Sequence, residues 1–121
     1  FTLIYKESED KGMNPFQLRH KTMIIRMPKE VDHHCAEQFR HRADQLVTQE
    51  NIKRIEFDFR DTQFMDSSGI GVVMGRYQMI RLLGGTVVAT HVNDRIYRIF
   101  QLAGLPKIIE IQKEHFWNSE E

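Results

Sequence analysis

The sequence predicts an α/β fold, a small mixed β-sheet with helices mainly on one face. Strand-like and helix-like segments alternate along most of the chain in the order β-β-α-β-α-β-α-β. Ile55, Phe57 and Phe59 alternate with Glu56, Asp58 and Arg60, a period of two that gives the strand one apolar and one polar face. A strand held between two helix layers would be apolar throughout, so the polar face argues against a doubly wound domain. The length, 121 residues, suits one compact domain rather than two.

The elements follow in order. Residues 1–12, ending in Glu7-Ser8-Glu9-Asp10-Lys11-Gly12, read as a polar N-terminal extension or a cloning remnant ahead of a domain over residues 13–121. The alternative is an extra edge strand over Phe1–Tyr5. Phe16–Arg19 and Thr22–Met27 are strand-like, with a polar turn at His20-Lys21. Asp32 has the chemistry of an N-cap, its carboxylate accepting from open backbone N–H groups. Ala36, Phe39, Ala43, Leu46 and Val47 then recur at helical spacing, so a helix runs from about His33 to Gln49. The Ile55–Arg60 strand follows. A second helix starts near Ser67, carries Ile70, Val73, Met74, Tyr77 and Ile80 on its core stripe, and stops at Gly84-Gly85. Thr86–Thr90 is a short strand, and Asn93 caps a third helix with Ile96, Ile99, Phe100 and Ala103, halted by Gly104 and Pro106. Ile108-Ile109-Glu110-Ile111 is the last strand and Lys113–Trp117 a helical turn, with Phe116 and Trp117 packing on the core or on a partner.

Composition narrows the function. Lys plus Arg and Asp plus Glu are each 17, a net charge of zero. The electrostatic footprint of a dedicated nucleic-acid binder is missing, as is a broad field for anionic membranes. No apolar run reaches the roughly 18 residues of a membrane span, and Phe1–Tyr5 lacks the cationic flank of a secretory signal. Cys35 is the single cysteine, so an oxidising compartment gains no support. A cytoplasmic, monomeric protein is the expectation.

Phe64-Met65-Asp66-Ser67-Ser68-Gly69-Ile70-Gly71 leads straight into a helix N-terminus, where free N–H groups and the helix dipole favour an anion. Two readings stand side by side. Asp66, Ser67 and Ser68 are all good caps; equally, a serine there is placed to carry a phosphate. Gly69, Gly71 and Gly75 fall within the first turns, each costing about 1 kcal/mol against alanine, which implies close backbone approach to the protein's own sheet or to a partner.

Enzyme motifs fail letter by letter. Gly69-x-Gly71 meets Met74 where a dinucleotide fingerprint needs glycine, and no Walker lysine follows a glycine run. Asp58 and Asp61 lack a carboxylate cluster and read as a solvated face plus a turn. His34 and His41 share a helix face with His33 nearby, yet no third ligand stands at metal spacing. No cofactor, metal or catalytic residue is expected.

The string Phe64–Tyr77, Phe-Met-Asp-Ser-Ser-Gly-Ile-Gly-Val-Val-Met-Gly-Arg-Tyr, resembles the signature of the STAS-domain anti-sigma factor antagonists, most closely their sporulation members that release sigma-F. Glu30-Val31-Asp32-His33-His34-Cys35-Ala36-Glu37 is similar to the family's first loop-helix junction, and Gly84-Gly85 and Phe100-Gln101-Leu102-Ala103-Gly104-Leu105 add further matches. The resemblance implies that Ser67 is the phosphoacceptor, with Ser68 the lesser candidate. It also implies a partner-binding surface of Glu30, Asp32, Asp66, Ser68, Gly69 and Ile70. The implied partners are an ATP-using anti-sigma factor that is also a serine kinase, and a serine phosphatase that resets the switch. A general stress-response module of the same fold is the alternative. Lys29 stands where the family usually has glycine, which would strain the loop if the position needed φ > 0.

Overall fold

Strand alternation decides which way the sheet faces. The computed structural model describes residues 14–114. Two strands, β1 (Phe16–Arg19) and β2 (Thr22–Arg26), are followed by the two-residue β3 (Glu30–Val31) and helix α1 (His33–Glu50). Then come β4 (Arg54–Asp58), the two-residue β5 (Phe64–Met65), α2 (Ser67–Leu82), β6 (Thr86–Val92), α3 (Asp94–Leu102), a short 3-10 helix (Leu105–Lys107) and β7 (Glu110–Lys113). The main sheet has the order β1-β2-β4-β6-β7, antiparallel between β1 and β2 and parallel elsewhere.

The register lines up the core. Met23, Ile55 and Val87 pair across the sheet, as do Ile25, Phe57 and Ala89, and all six are buried. Against this face lie Ala36, Ala43, Leu46 and Val47 of α1, Val72, Val73 and Ile80 of α2, and Ile96 and Phe100 of α3. Each large apolar side chain so buried stabilises the fold by about 1.5–3 kcal/mol. Phe59 meets Phe100 edge-on at 5.3 Å, tying the chain beyond β4 to α3. The neighbouring rows, such as Arg26–Asp58–Thr90, face away from the helices and line a polar groove. One-sided helix packing is therefore what the Ile55–Arg60 alternation implies.

The turn at His20-Lys21 places His20 at φ 58°, and Gly84 at φ 83° ends α2, where L side chains are disfavoured. Asn93 caps α3 by accepting from Ile96 N–H at 2.9 Å.

Five expectations need correction. The last strand begins at Glu110, not Ile108, because Gly104 at φ 79° and Pro106 wind Leu105–Lys107 into a 3-10 turn first. Asp58 is buried rather than solvated: it accepts from Arg60 N–H at 3.0 Å and lies 3.2 Å from His91 Nδ1. Those contacts compensate a carboxylate taken out of water. Lys29 does not have a positive φ, so replacing glycine there carries no backbone strain. Gly71 and Gly75 face open space, so neither is required by internal packing. The expected turn over Lys113–Trp117 does not begin at Lys113, which is the last residue of β7, while Phe1–Tyr5, residues 1–12, Phe116 and Trp117 lie outside the described residues.

Candidate functional site

The two short strands bring the quoted motifs together. β3 and β5 pair in parallel, Glu30 opposite Phe64 and Val31 opposite Met65. Val31 and Met65 are buried while Glu30 and Phe64 are exposed, as the alternation of strand side chains requires. Each strand runs directly into an aspartate and then a helix. Asp32 caps α1 by accepting from Cys35 N–H at 3.2 Å, and Asp66 caps α2 by accepting from Ser68 N–H at 2.8 Å. Asp66 N–H donates in turn to the Val31 carbonyl at 3.1 Å. Two helix N-termini thus emerge from one pair of strands, with Glu30 and Asp32 beside Asp66 and Ser67.

This pairing escaped the sequence reading because two-residue strands carry no periodicity. A signal existed nonetheless: Glu30-Val31-Asp32 and Phe64-Met65-Asp66 share an apolar residue followed by an N-cap aspartate.

At the α2 junction the capping duty falls on Asp66. Ser67, the first helical residue, is exposed, and among the described residues its hydroxyl makes no hydrogen bond. The Ser68 hydroxyl likewise has no partner there, although its N–H is held by Asp66. Simple capping by the serines is therefore not what the geometry uses them for. Gly69 is buried beneath them. A Cβ on Gly69 would stand 2.4 Å from Met65 Cγ and 3.0 Å from Val31 Cγ1, so only glycine lets α2 approach the strand pair this closely. Ile70 is half-buried one residue on and packs at the edge of the core.

The α1 junction is electrostatically different. The Cys35 N–H holds the Asp32 carboxyl below its ordinary value, with His34 and His33 adding to the effect. Burial pushes the Cys35 thiol up, and the Asp32 charge pushes it the same way. The protonated thiol lies 3.5 Å from the Glu30 carbonyl and 3.6 Å from the Asp32 carbonyl, so it serves the junction as a donor. The His33 and His34 rings sit 4.9 Å apart, and no group of three metal-ligating side chains occurs among the described residues.

The helices that leave the two junctions are joined by an ion pair the sequence reading missed. Arg76 on α2 is buried, with Nε 2.9 Å from Asp44 Oδ1 on α1, though the N–H does not point along that line. Its Nη1 donates to the Val72 carbonyl at 3.2 Å. Burial pulls the guanidinium below its usual value and the Asp44 charge opposes this. A charged residue at one position of an otherwise apolar stripe gives no warning of burial, since a cross-helix partner is invisible in one dimension.

Comparison with known proteins agrees with this fold. The STAS domain family matches residues 15–121. An anti-sigma F factor antagonist of Paenibacillus polymyxa is 36% identical over 89 residues, covering 74% of this chain and 76% of that protein. An anti-sigma-B factor antagonist of Bacillus subtilis is 31% identical over 87 residues, covering 72% of this chain and 78% of its own. The solved structure of the anti-sigma factor antagonist SpoIIAA in its unphosphorylated form superposes with a TM-score of 0.74 at 28% identity, covering 87% of this chain and 92% of that one. No helix among the described residues is long and apolar enough to cross a membrane. The chain belongs to the STAS domain family, alongside the anti-sigma factor antagonists.

Proposed function

We propose that this chain is an anti-sigma factor antagonist that binds an anti-sigma factor with serine kinase activity, frees a sporulation sigma factor, and is switched off by phosphorylation of Ser67. The observation that carries this reading is the exposed Ser67 hydroxyl, left without a partner among the described residues because Asp66 supplies the cap. The binding surface in this reading is formed by Glu30, Asp32, Asp66, Ser68 and Ile70, with Gly69 setting the approach of α2 from below. The similarity to SpoIIAA, whose structure is described in an unphosphorylated form, supports a phosphorylation switch here.

The physics of the switch is local. A phosphate on Ser67 adds about −1.5 to −2 charges at one point. The dipole of α2 offsets that by only about 0.3–1 kcal/mol at an exposed site. Asp66 and Asp32 are already on this surface, so the added charge must be desolvated among like charges in any complex. The phosphoprotein stays folded while the complex weakens, and a serine phosphatase restores binding.

The test uses the purified anti-sigma F factor of Paenibacillus polymyxa with ATP. Mass analysis is expected to find one added phosphate on Ser67 and none on Ser67→Ala, with the phosphorylated protein released from the complex. Unchanged binding after stoichiometric phosphorylation would sink the switch. The 31% identity to the anti-sigma-B factor antagonist supports a second reading, a general stress-response module. Tighter binding to the Bacillus subtilis anti-sigma-B factor than to the anti-sigma F factor would favour it.

A further inference from the structure

Phe64 has an environment that neither the fold nor the Ser67 switch explains. It is a large aromatic side chain left 52% exposed, three residues ahead of Ser67 and opposite Glu30 in the β3–β5 register. A lone exposed apolar residue means little by itself. Here, however, the backbone that presents it is held from several directions. Gln63 N–H and Phe64 N–H both donate to the Lys29 carbonyl, at 2.8 and 3.2 Å. The buried Thr62 donates its hydroxyl to the Pro28 carbonyl at 2.8 Å. Asn93, whose Oδ1 caps α3, uses its Nδ2 to donate to the Thr62 carbonyl at 3.0 Å. Arg95 reaches the Gln63 carbonyl at 3.3 Å.

We infer that Phe64 is the apolar anchor of the partner interface, inserted into a pocket of the anti-sigma factor whose rim carries Arg or Lys. This rests on the proposed function and names a specificity residue outside the Ser67 machinery. Binding anchors are typically aromatic and central, and a presenting backbone that is already ordered loses less freedom on association. The hydrogen bonds from β3, α3 and the Thr62 turn supply that order before the partner arrives. Continuity points to the occupant: Phe64 shares its outer face with Glu30, and Asp32 and Asp66 follow each on its own strand. A basic rim on that pocket complements the carboxylates of Glu30, Asp32 and Asp66 in charge.

The experiment is calorimetric titration of unphosphorylated wild type, Phe64→Ala and Phe64→Lys against the Paenibacillus polymyxa anti-sigma F factor. Phe64→Ala is expected to raise Kd on the order of 30-fold, as for a ~2 kcal/mol hot spot. Phe64→Lys should weaken binding at least as much, by turning a cation toward the basic rim. Both variants should melt close to wild type, since the side chain is half in solvent, and Phe64→Lys decides the matter should Phe64→Ala melt early. A Kd within about three-fold of wild type in a folded variant overturns the anchor and leaves the Ser67 switch standing. Failure of the wild-type protein to bind either this anti-sigma F factor or the Bacillus subtilis anti-sigma-B factor overturns both.

Discussion

The two strand-to-helix junctions are built on one plan and differ in what they expose. At Val31-Asp32-His33 the cap reaches three residues on, to Cys35 N–H, and Ala36 N–H closes an ordinary helical turn on the Asp32 carbonyl at 2.9 Å. At Met65-Asp66-Ser67 the cap reaches only two residues on, to Ser68 N–H, and Gly69 N–H already bonds the Asp66 carbonyl at 3.0 Å. The second helix therefore starts with a tighter turn, drawn against Met65 and Val31 by the missing Cβ of Gly69. At the first junction the side-chain donor nearest the cap, the Cys35 thiol, turns inward to backbone carbonyls. At the second, the hydroxyls stay free of protein partners among the described residues. One junction consumes its side-chain chemistry in holding the loop, and the other leaves a nucleophilic oxygen in solvent.

The largest expected effect breaks the link between the helices that leave the junctions. Arg76→Leu strands Asp44 and should cost about 1–3 kcal/mol in urea unfolding, below the loss for a fully buried pair because Asp44 is partly exposed. Adding Asp44→Leu should recover much of it, since no unpaired charge then remains. Gly69→Ala attacks the close approach itself. Overpacking of this kind costs about 1–3 kcal/mol in urea unfolding, and the matching position at the first junction, three residues past its cap, carries a side chain as Cys35.

Asp66→Ala and Ser67→Ala separate capping from presentation. Loss of the Asp66 cap should destabilise by about 1 kcal/mol, whereas Ser67→Ala should stay within about 0.5 kcal/mol of wild type. A Ser67→Ala loss as large as that of Asp66→Ala, read from paired denaturation curves, would make the serine a structural cap after all. The smallest effect belongs to Asp32. Its carboxyl is held below the ordinary 3.8 by the Cys35 N–H, so its contribution to stability is complete above that value. It is lost as pH falls through the lower folded value. NMR titration should find the Asp32 midpoint below 3.8, and Asp32→Asn should remove that part of the acid dependence. A midpoint at or above the ordinary value would mean that the cap bond does not hold.

How far the sequence could be read follows from the range of each interaction. Ile55, Phe57 and Phe59 showed one face of the sheet because a period of two is local, and the helix starts near His33 and Ser67 followed from capping residue types that act within three residues. The end of α2 and the cap of α3 were legible for the same reason. Asp58 was misread as solvated because its compensation comes partly from His91, thirty-three positions away in the chain. Arg76 was passed over because Asp44 lies on another helix.

The candidate site divides along the same line. Ser67, Asp66 and Asp32 could be named from residue type and spacing, as side chains suited to helix N-termini. The choice of Asp66 over the serines as the cap, the burial of Gly69 against Met65 and the joining of the two loops through β3 and β5 required the tertiary structure. The composition and local periodicities of this chain determined a one-sided α/β sheet with three capped helices. Which helix starts stand side by side, and which hydroxyl is left over, was decided only by packing. Contacts such as Val31–Met65 and Asp44–Arg76 join residues some thirty positions apart, and no local pattern encodes their register.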